Sequence, residues 1–218
     1  MNKKLVVEIV LLASLMLVGC SGNKRDKELR EVFDAYVQGI KDYVQSSEYD
    51  VSGQIRYTLA YIDGDDDIPE MVLSEGSAHT SGVRIFFYDP VQKKAVDSGE
   101  RYGELGGFSY YEKKSTIYDF VFGNGGYGNV SFCKITPNKV TRSPYFTYYC
   151  DADDVSHYYI DFTEVSQDDY DEKYAKYAPE FANEEPVTVE RADMKGDYQA
   201  CCSEDTVELF FEMMDSMK

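Results

Sequence analysis

Between residues 26 and 45, Leu29, Val32, Phe33, Tyr36, Val37, Ile40, Tyr43 and Val44 recur three and four positions apart, with charged residues between them. That spacing predicts an amphipathic helix with one packed face. After Gly53 the period changes. Ile55, Tyr57, Leu59 and Tyr61 alternate with Arg56, Thr58 and Ala60, the mark of a half-buried strand. Runs rich in β-branched and aromatic residues predict further strands at 70–73, 83–88, 94–98, 108–112, 116–122, 127–135, 139–149 and 158–162. Turn-formers separate them at Asp89-Pro90, Gly106-Gly107, Lys113-Lys114-Ser115, 123–126 and Pro137-Asn138. Short strands joined by short turns imply an antiparallel meander rather than βαβ units. The helical period then returns. Ser166 and Asp169 read as a capping box, ahead of a core-packing stripe of Tyr170, Tyr174, Tyr177 and Phe181 that Pro179 ends or kinks. Ser203 is placed to cap a last helix, with Glu204 and Asp205 at its positive end and Val207, Phe210, Phe211 and Met214 on its apolar face. The expected fold is α+β: a twisted antiparallel β-meander sheet of about six to nine strands, with N-terminal and C-terminal amphipathic helices closing one face.

The first residues follow a different logic. Lys3 and Lys4 precede an apolar run over 5–18, which Glu8 interrupts and Leu17-Val18-Gly19-Cys20 closes. The run falls short of the ~20 apolar residues of a spanning helix, so it reads as an export signal. A small residue at the cut, a branched pair before it and a cysteine directly after form a lipobox, in which the Cys20 thiol takes a diacylglyceryl group. The expected organisation is a lipoprotein signal peptide over 1–19, a lipidated tether over 20–25, and a single α+β extracytoplasmic domain over 26–218. The expected location is the outer face of the cell membrane, held by the lipid anchor.

Charge excludes some partners. The chain of 218 residues carries a formal −18, and loss of Lys3, Lys4 and Glu8 with the signal makes it one unit more negative. Such a chain repels nucleic acid and anionic headgroups and attracts cations. Twenty tyrosines and twelve phenylalanines argue for a packed core despite the charge. Export makes disulfides chemically accessible to Cys133, Cys150, Cys201 and Cys202, but two are adjacent and the pairing stays open.

The densest chemistry is the turn from Tyr61 to Leu73, in which Asp63, Asp65 and Asp67 alternate like the first ligands of a calcium loop and Glu70 adds a carboxylate. Ile68 and Ser74 stand where an EF-hand needs Gly and Glu, so the turn is either a weak Ca2+ site or an Asx-rich turn whose carboxylates cap backbone N–H groups. The pattern Y-I-D-x-D-D-I-P-E-[LM]-V resembles that of an uncharacterised family of secreted proteins and lipoproteins of Gram-positive anaerobic bacteria, whose acidic turn is often D-x-D-x-D-G-x-P-E-L. Gly82-Val83, Gly99, Gly103, Gly106-Gly107, Tyr110-Tyr111-Glu112-Lys113-Lys114 and the glycines of 123–128 extend the resemblance over about 57–135. It implies no assigned activity. The turn also resembles, locally, the calcium loops of FG-GAP propeller blades, but one copy makes no propeller.

Residues 123–128 lack the Lys-Ser/Thr of a phosphate loop, and neither His79 nor His157 sits in a nucleophile–base setting. The tyrosine-rich segments 109–111, 145–149 and 157–159 supply either core packing or an aromatic platform. The leading functional expectation is a non-enzymatic module that binds an extracellular glycan, peptide or envelope protein. The alternatives are a cell-envelope hydrolase using acidic residues and a structural accessory subunit of an envelope complex. Cys20→Ala should abolish incorporation of a labelled fatty acid; labelling that survives the substitution would overturn the lipid anchor.

Overall fold

The computed structural model describes residues 3–46, 55–64, 67–75, 82–122, 128–136, 139–197 and 205–218, with side chains from Lys24 onward except that of Phe122. The chain is α+β, and its strands pair antiparallel throughout the described residues. Helix α1 runs from Lys3 to Gln45, so the helical backbone begins well before residue 26. No proline interrupts 3–45, and Lys24 pairs with Glu28 at 3.7 Å across one turn. Leu29, Val32, Phe33, Tyr36, Ile40 and Tyr43 are buried. Among the described residues, no helix is long and apolar enough to cross a membrane.

The strands form two sheets rather than one. β1 (Ile55–Ala60), β2 (Glu70–Glu75), β3 (Val83–Asp89) and β4 (Lys94–Asp97) follow one another as a meander, and β13 (Gly196–Asp197) joins the free edge of β1. The second sheet has the order β11 (Thr163–Val165), β10 (Ser156–Ile160), β9 (Phe146–Cys150), β7 (Gly128–Thr136), β6 (Thr116–Phe122), β5 (Phe108–Tyr111) and β12 (Val187–Val189), with β8 (Lys139–Arg142) paired beside β7. The split follows from burial. Every residue of β2 and the first five of β3 are buried, which a sheet with one wet face does not allow. Met71, Leu73 and Phe86 pack against α1 and the C-terminal helix α3 (Thr206–Ser216). Val72, Ile85 and Phe87 face the other way, onto Phe108, Tyr110, Ile117, Cys133 and Ile135 of the second sheet.

The far face of the second sheet carries helix α2 (Gln167–Tyr177). The Ser166 hydroxyl accepts from the Asp169 N–H as an N-cap does and donates to the Asp169 carboxylate at 2.6 Å, so the carboxylate meets the hydroxyl where a capping box would have it meet the Ser166 N–H. Tyr174 meets Phe146 at 5.2 Å and Phe132 at 5.8 Å between centroids, and Tyr170 meets Phe146 at 5.7 Å. Ala178, in an extended conformation ahead of Pro179, ends the helix. Tyr177 remains 38 % exposed and Phe181 turns onto Tyr111 at 4.9 Å, so the stripe divides after its first two rings. The layers are therefore helices, sheet, sheet, helix.

Other departures from the sequence reading have local causes. Segment 139–149 is two strands, because Pro144 removes a ladder donor and the Ser143 hydroxyl accepts the Phe132 N–H at 2.9 Å. β12 and β13 were not expected; at three and two residues they carry no readable period. Ser203 and Glu204 lie outside the described residues, and α3 begins after Asp205.

Phe210 is fully buried, with Phe33, Tyr57 and Tyr36 around it at 5.2, 5.3 and 6.4 Å, whereas Phe211 is half-buried under Arg30. Phe210→Ala should cost about 3–5 kcal/mol in urea denaturation and Phe211→Ala distinctly less. Equal midpoints for the two variants would contradict this packing.

Candidate ligand-binding groove

The acidic turn is built around Glu70. Its Oε2 accepts the Ile62 N–H at 2.7 Å and the Asp63 N–H at 3.2 Å, and only 3 % of the residue is exposed. Lys113 and Ser115 donate backbone N–H groups to Tyr61 and Ile62, joining the turn to the second sheet. At Gly64 an added Cβ would lie 2.7 Å from the Lys113 carbonyl oxygen, so a side chain is excluded there. Burial first, and the neighbouring Asp63 second, push the Glu70 carboxyl up to about 8 from an ordinary 4.5. Asp67 is exposed and meets Arg25 at 3.5 Å, while Asp65 lies outside the described residues. Among the described residues, no group of three His, Cys, Asp or Glu side chains is arranged to hold a metal ion. The described carboxylate of Glu70 thus performs the capping alternative, holding the entry and exit of the turn together.

The cysteines and histidines divide similarly. Cys133 and Cys150 are free thiols, the first buried and the second exposed; Cys201, Cys202 and His79 lie outside the described residues, as do the side chain of Cys20 and residues 123–127. Burial pushes the Cys133 thiol up to about 12, which removes its nucleophilic form at neutral pH. His157 lies between Glu164 and Asp151, each 3.0 Å from a ring nitrogen, and these hydrogen bonds, Glu164 first, raise its pKa. Its ring stacks on Tyr149 at 4.9 Å, which stacks on Tyr159 at 5.9 Å. On the opposite face Tyr148 packs on Tyr158, and Tyr158 on Tyr170 of α2. The tyrosine-rich strands are thus partly packed and partly exposed, with Tyr148 at 51 %.

Two ionic clusters close the margins of the layers. Glu75, fully buried, receives the Tyr43 hydroxyl, and Arg84 and Arg101 lie 3.3 and 2.9 Å from its oxygens. Arg142 donates to Asp119, to Ser131 and Tyr145 at 3.0 Å, and to Glu100 at 3.0 Å, while Asp119 also accepts the Gly103 N–H at 2.6 Å. Opposite charges meet within each cluster, so both are read as structural.

A concavity of about 770 Å³ runs along the β5–β12 edge of the second sheet. Its wall joins three distant parts of the chain. Ser109, Tyr118 and Phe120 come from β5 and β6, Thr188 and Val189 from β12, and Arg56 of β1 meets Arg191 and Ala192 at the inner end. Gly103–Gly107 forms one lip. Gly103 has φ +68°, and a Cβ there would sit 2.0 Å from the Gly107 oxygen, so only glycine permits the lip. Volume, rings and a few fixed polar groups match a ligand pocket of roughly 300–1,000 Å³.

Neutral acceptors lie within reach of both arginines. Arg56 Nη1 lies 3.4 and 3.5 Å from the Arg191 and Ala192 carbonyls, and Arg191 Nη1 donates to the Ser74 hydroxyl at 2.9 Å. Burial, and then the Arg56 charge, pull the Arg191 pKa below its ordinary value. Family models, curated proteins and solved structures were compared with this chain, and none matches. Sequence reading put Ser109 in a candidate aromatic platform but did not assemble the groove. The one signal was Arg56 on a strand, at a position facing away from the α1 core.

Linkage makes the turn testable. With its folded pKa above its unfolded value, Glu70 keeps its stabilising contribution below about 4.5 and loses it as pH rises toward about 8. Glu70→Gln retains an acceptor oxygen and removes the charge, so chemical denaturation should show a flatter stability profile between those limits. An unchanged slope would mean that Glu70 is ionised throughout.

Proposed function

We propose that this chain is a non-enzymatic binding module, held at the extracytoplasmic face of the membrane through lipidated Cys20, and that the β5–β12 edge groove receives its ligand. The groove carries the reading. It combines a volume suited to a small ligand or peptide end with the rings of Tyr118 and Phe120, the hydroxyls of Ser109 and Thr188, and two guanidinium groups. The Ser109 and Thr188 hydroxyls lie 2.8 Å apart across β5 and β12, a polar pair at the mouth between apolar walls. The lipobox order of residues 17–20 supports export and anchoring. The resemblance over 57–135 to a family of secreted proteins and lipoproteins agrees with that location.

The acidic turn has a separate place in this reading. A divalent cation there would relieve repulsion among Asp63, Asp65 and Asp67, joined by Glu70 only when it is ionised, with a weak affinity of ~10⁻⁴ to 10⁻³ M because the distal bidentate Glu is missing. Its role is to stiffen the junction between β1 and β2 rather than to hold the ligand.

Thr188 is exposed on β12, and Thr188→Trp places a large ring in the groove with little effect on the core. Full-length protein in detergent, incubated with a small-molecule extract of cell envelope, should retain compounds that the Trp variant does not, as read by mass spectrometry. Identical retained sets for the two proteins would remove the groove from the function.

A further inference from the structure

We infer that the groove takes a zwitterionic ligand of the amino-acid or short-peptide class, with its free carboxylate received at Arg56. The inference rests on the groove being the binding site, and it names the chemistry of that site.

The first observation is the state of Arg56. Among the described residues, no carboxylate lies within 4.0 Å of its guanidinium, although the chain has 40 acidic residues against 22 basic ones. Asp197 is its cross-strand partner in register, yet the two make no ion pair. Instead Arg56 is aimed by two backbone carbonyls. Neutral acceptors fix the direction of a guanidinium without cancelling its charge, which is how a site is preorganised for an incoming anion.

The second observation is that Arg191 stands beside it. Like charges near one another raise the energy of the empty groove, and an anion between or beside them lowers it. Arg191 is itself anchored on Ser74, so the pair cannot relax by moving apart without losing that hydrogen bond. A planar carboxylate matches the fork of a guanidinium in two parallel hydrogen bonds.

The rim limits which anion fits. Glu104 and Glu190 line the same groove and balance the two arginines. A polyanion would meet these carboxylates and be repelled, whereas a ligand with one carboxylate and one ammonium would satisfy both ends. Tyr118 and Phe120 line the same groove and suit an apolar or aromatic side chain. Sugars without charge would use the rings and hydroxyls but offer no carboxylate to Arg56.

The test uses three matched tripeptide libraries with aromatic central residues: free termini, C-terminal amide, and N-acetyl. They are offered to the full-length protein in detergent, and retained peptides are measured by mass spectrometry. Wild type should retain the free library, hold the amide library on the order of tenfold less well, and hold the acetylated one more weakly than the free form. Arg56→Gln should lose the preference for a free carboxylate, and Arg56→Lys should keep part of it, since the charge remains but the fork does not. A melting temperature for each variant separates loss of binding from loss of fold. Equal retention of the free and amide libraries, an undiminished preference in Arg56→Gln, or no retention of any library would overturn the carboxylate assignment. In each of those cases the groove reading survives if envelope compounds are still lost on Thr188→Trp, and fails if they are not.

Discussion

Met71, Leu73 and Phe86 point toward the helices while Val72, Ile85 and Phe87 point toward the second sheet, so β2 and the first five residues of β3 leave no face to water. That double burial dictates the layer order. A strand apolar on both sides must be covered twice, and the covers available are α1 with α3 on one side and β5–β7 on the other. The second sheet then has its own outer face to cover, which the tyrosines of α2 accomplish over Phe132 and Phe146. Each layer is the consequence of the apolar face left by the one before it.

Polar groups gather where the layers stop. Glu75 with Arg84 and Arg101 lies at one end of the first sheet, and Asp119 with Arg142 lies where the second sheet passes beyond the first. Buried charges cost desolvation energy unless paired, and both clusters are densely paired. Their contribution is best understood as placement: Arg142 and Asp119 tie the Glu100 and Gly103 region to β6 and β8, and this positions the lip of the groove. The acidic turn works in the same manner, since Glu70 gathers two N–H groups that a sharp strand-to-strand turn would otherwise leave buried without acceptors.

The groove differs from these clusters in its electrostatics. Within the margins, charge meets opposite charge at hydrogen-bond distance; at the groove, the described partners of the Arg56 guanidinium are carbonyls. Carbonyl acceptors orient but do not neutralise. A surface so arranged has more to gain from a ligand than one already satisfied, which links the local hydrogen-bond pattern to binding.

The periodicities in the chain were enough to establish the class of fold, the antiparallel pairing, the N-cap at Ser166 and an apolar face on the last helix, because each is a local property of spacing or of one turn; which of Phe210 and Phe211 is buried was decided by the packing. Composition and the ordering of residues 1–20 likewise carried the expectation of export, which needs no tertiary contact to be read. The number of sheets, the break at Pro144 and the pairing of β12 and β13 were decided only by the tertiary structure. Runs such as that of β3 fit burial on one face or two, and a strand of two or three residues has no period. The groove was furthest from reach. Arg56, Tyr118 and the Thr188–Arg191 segment are separated by scores of residues and sit in unremarkable local sequence, and they form a site only because β12 returns to the edge of β5 while β13 returns to the edge of β1.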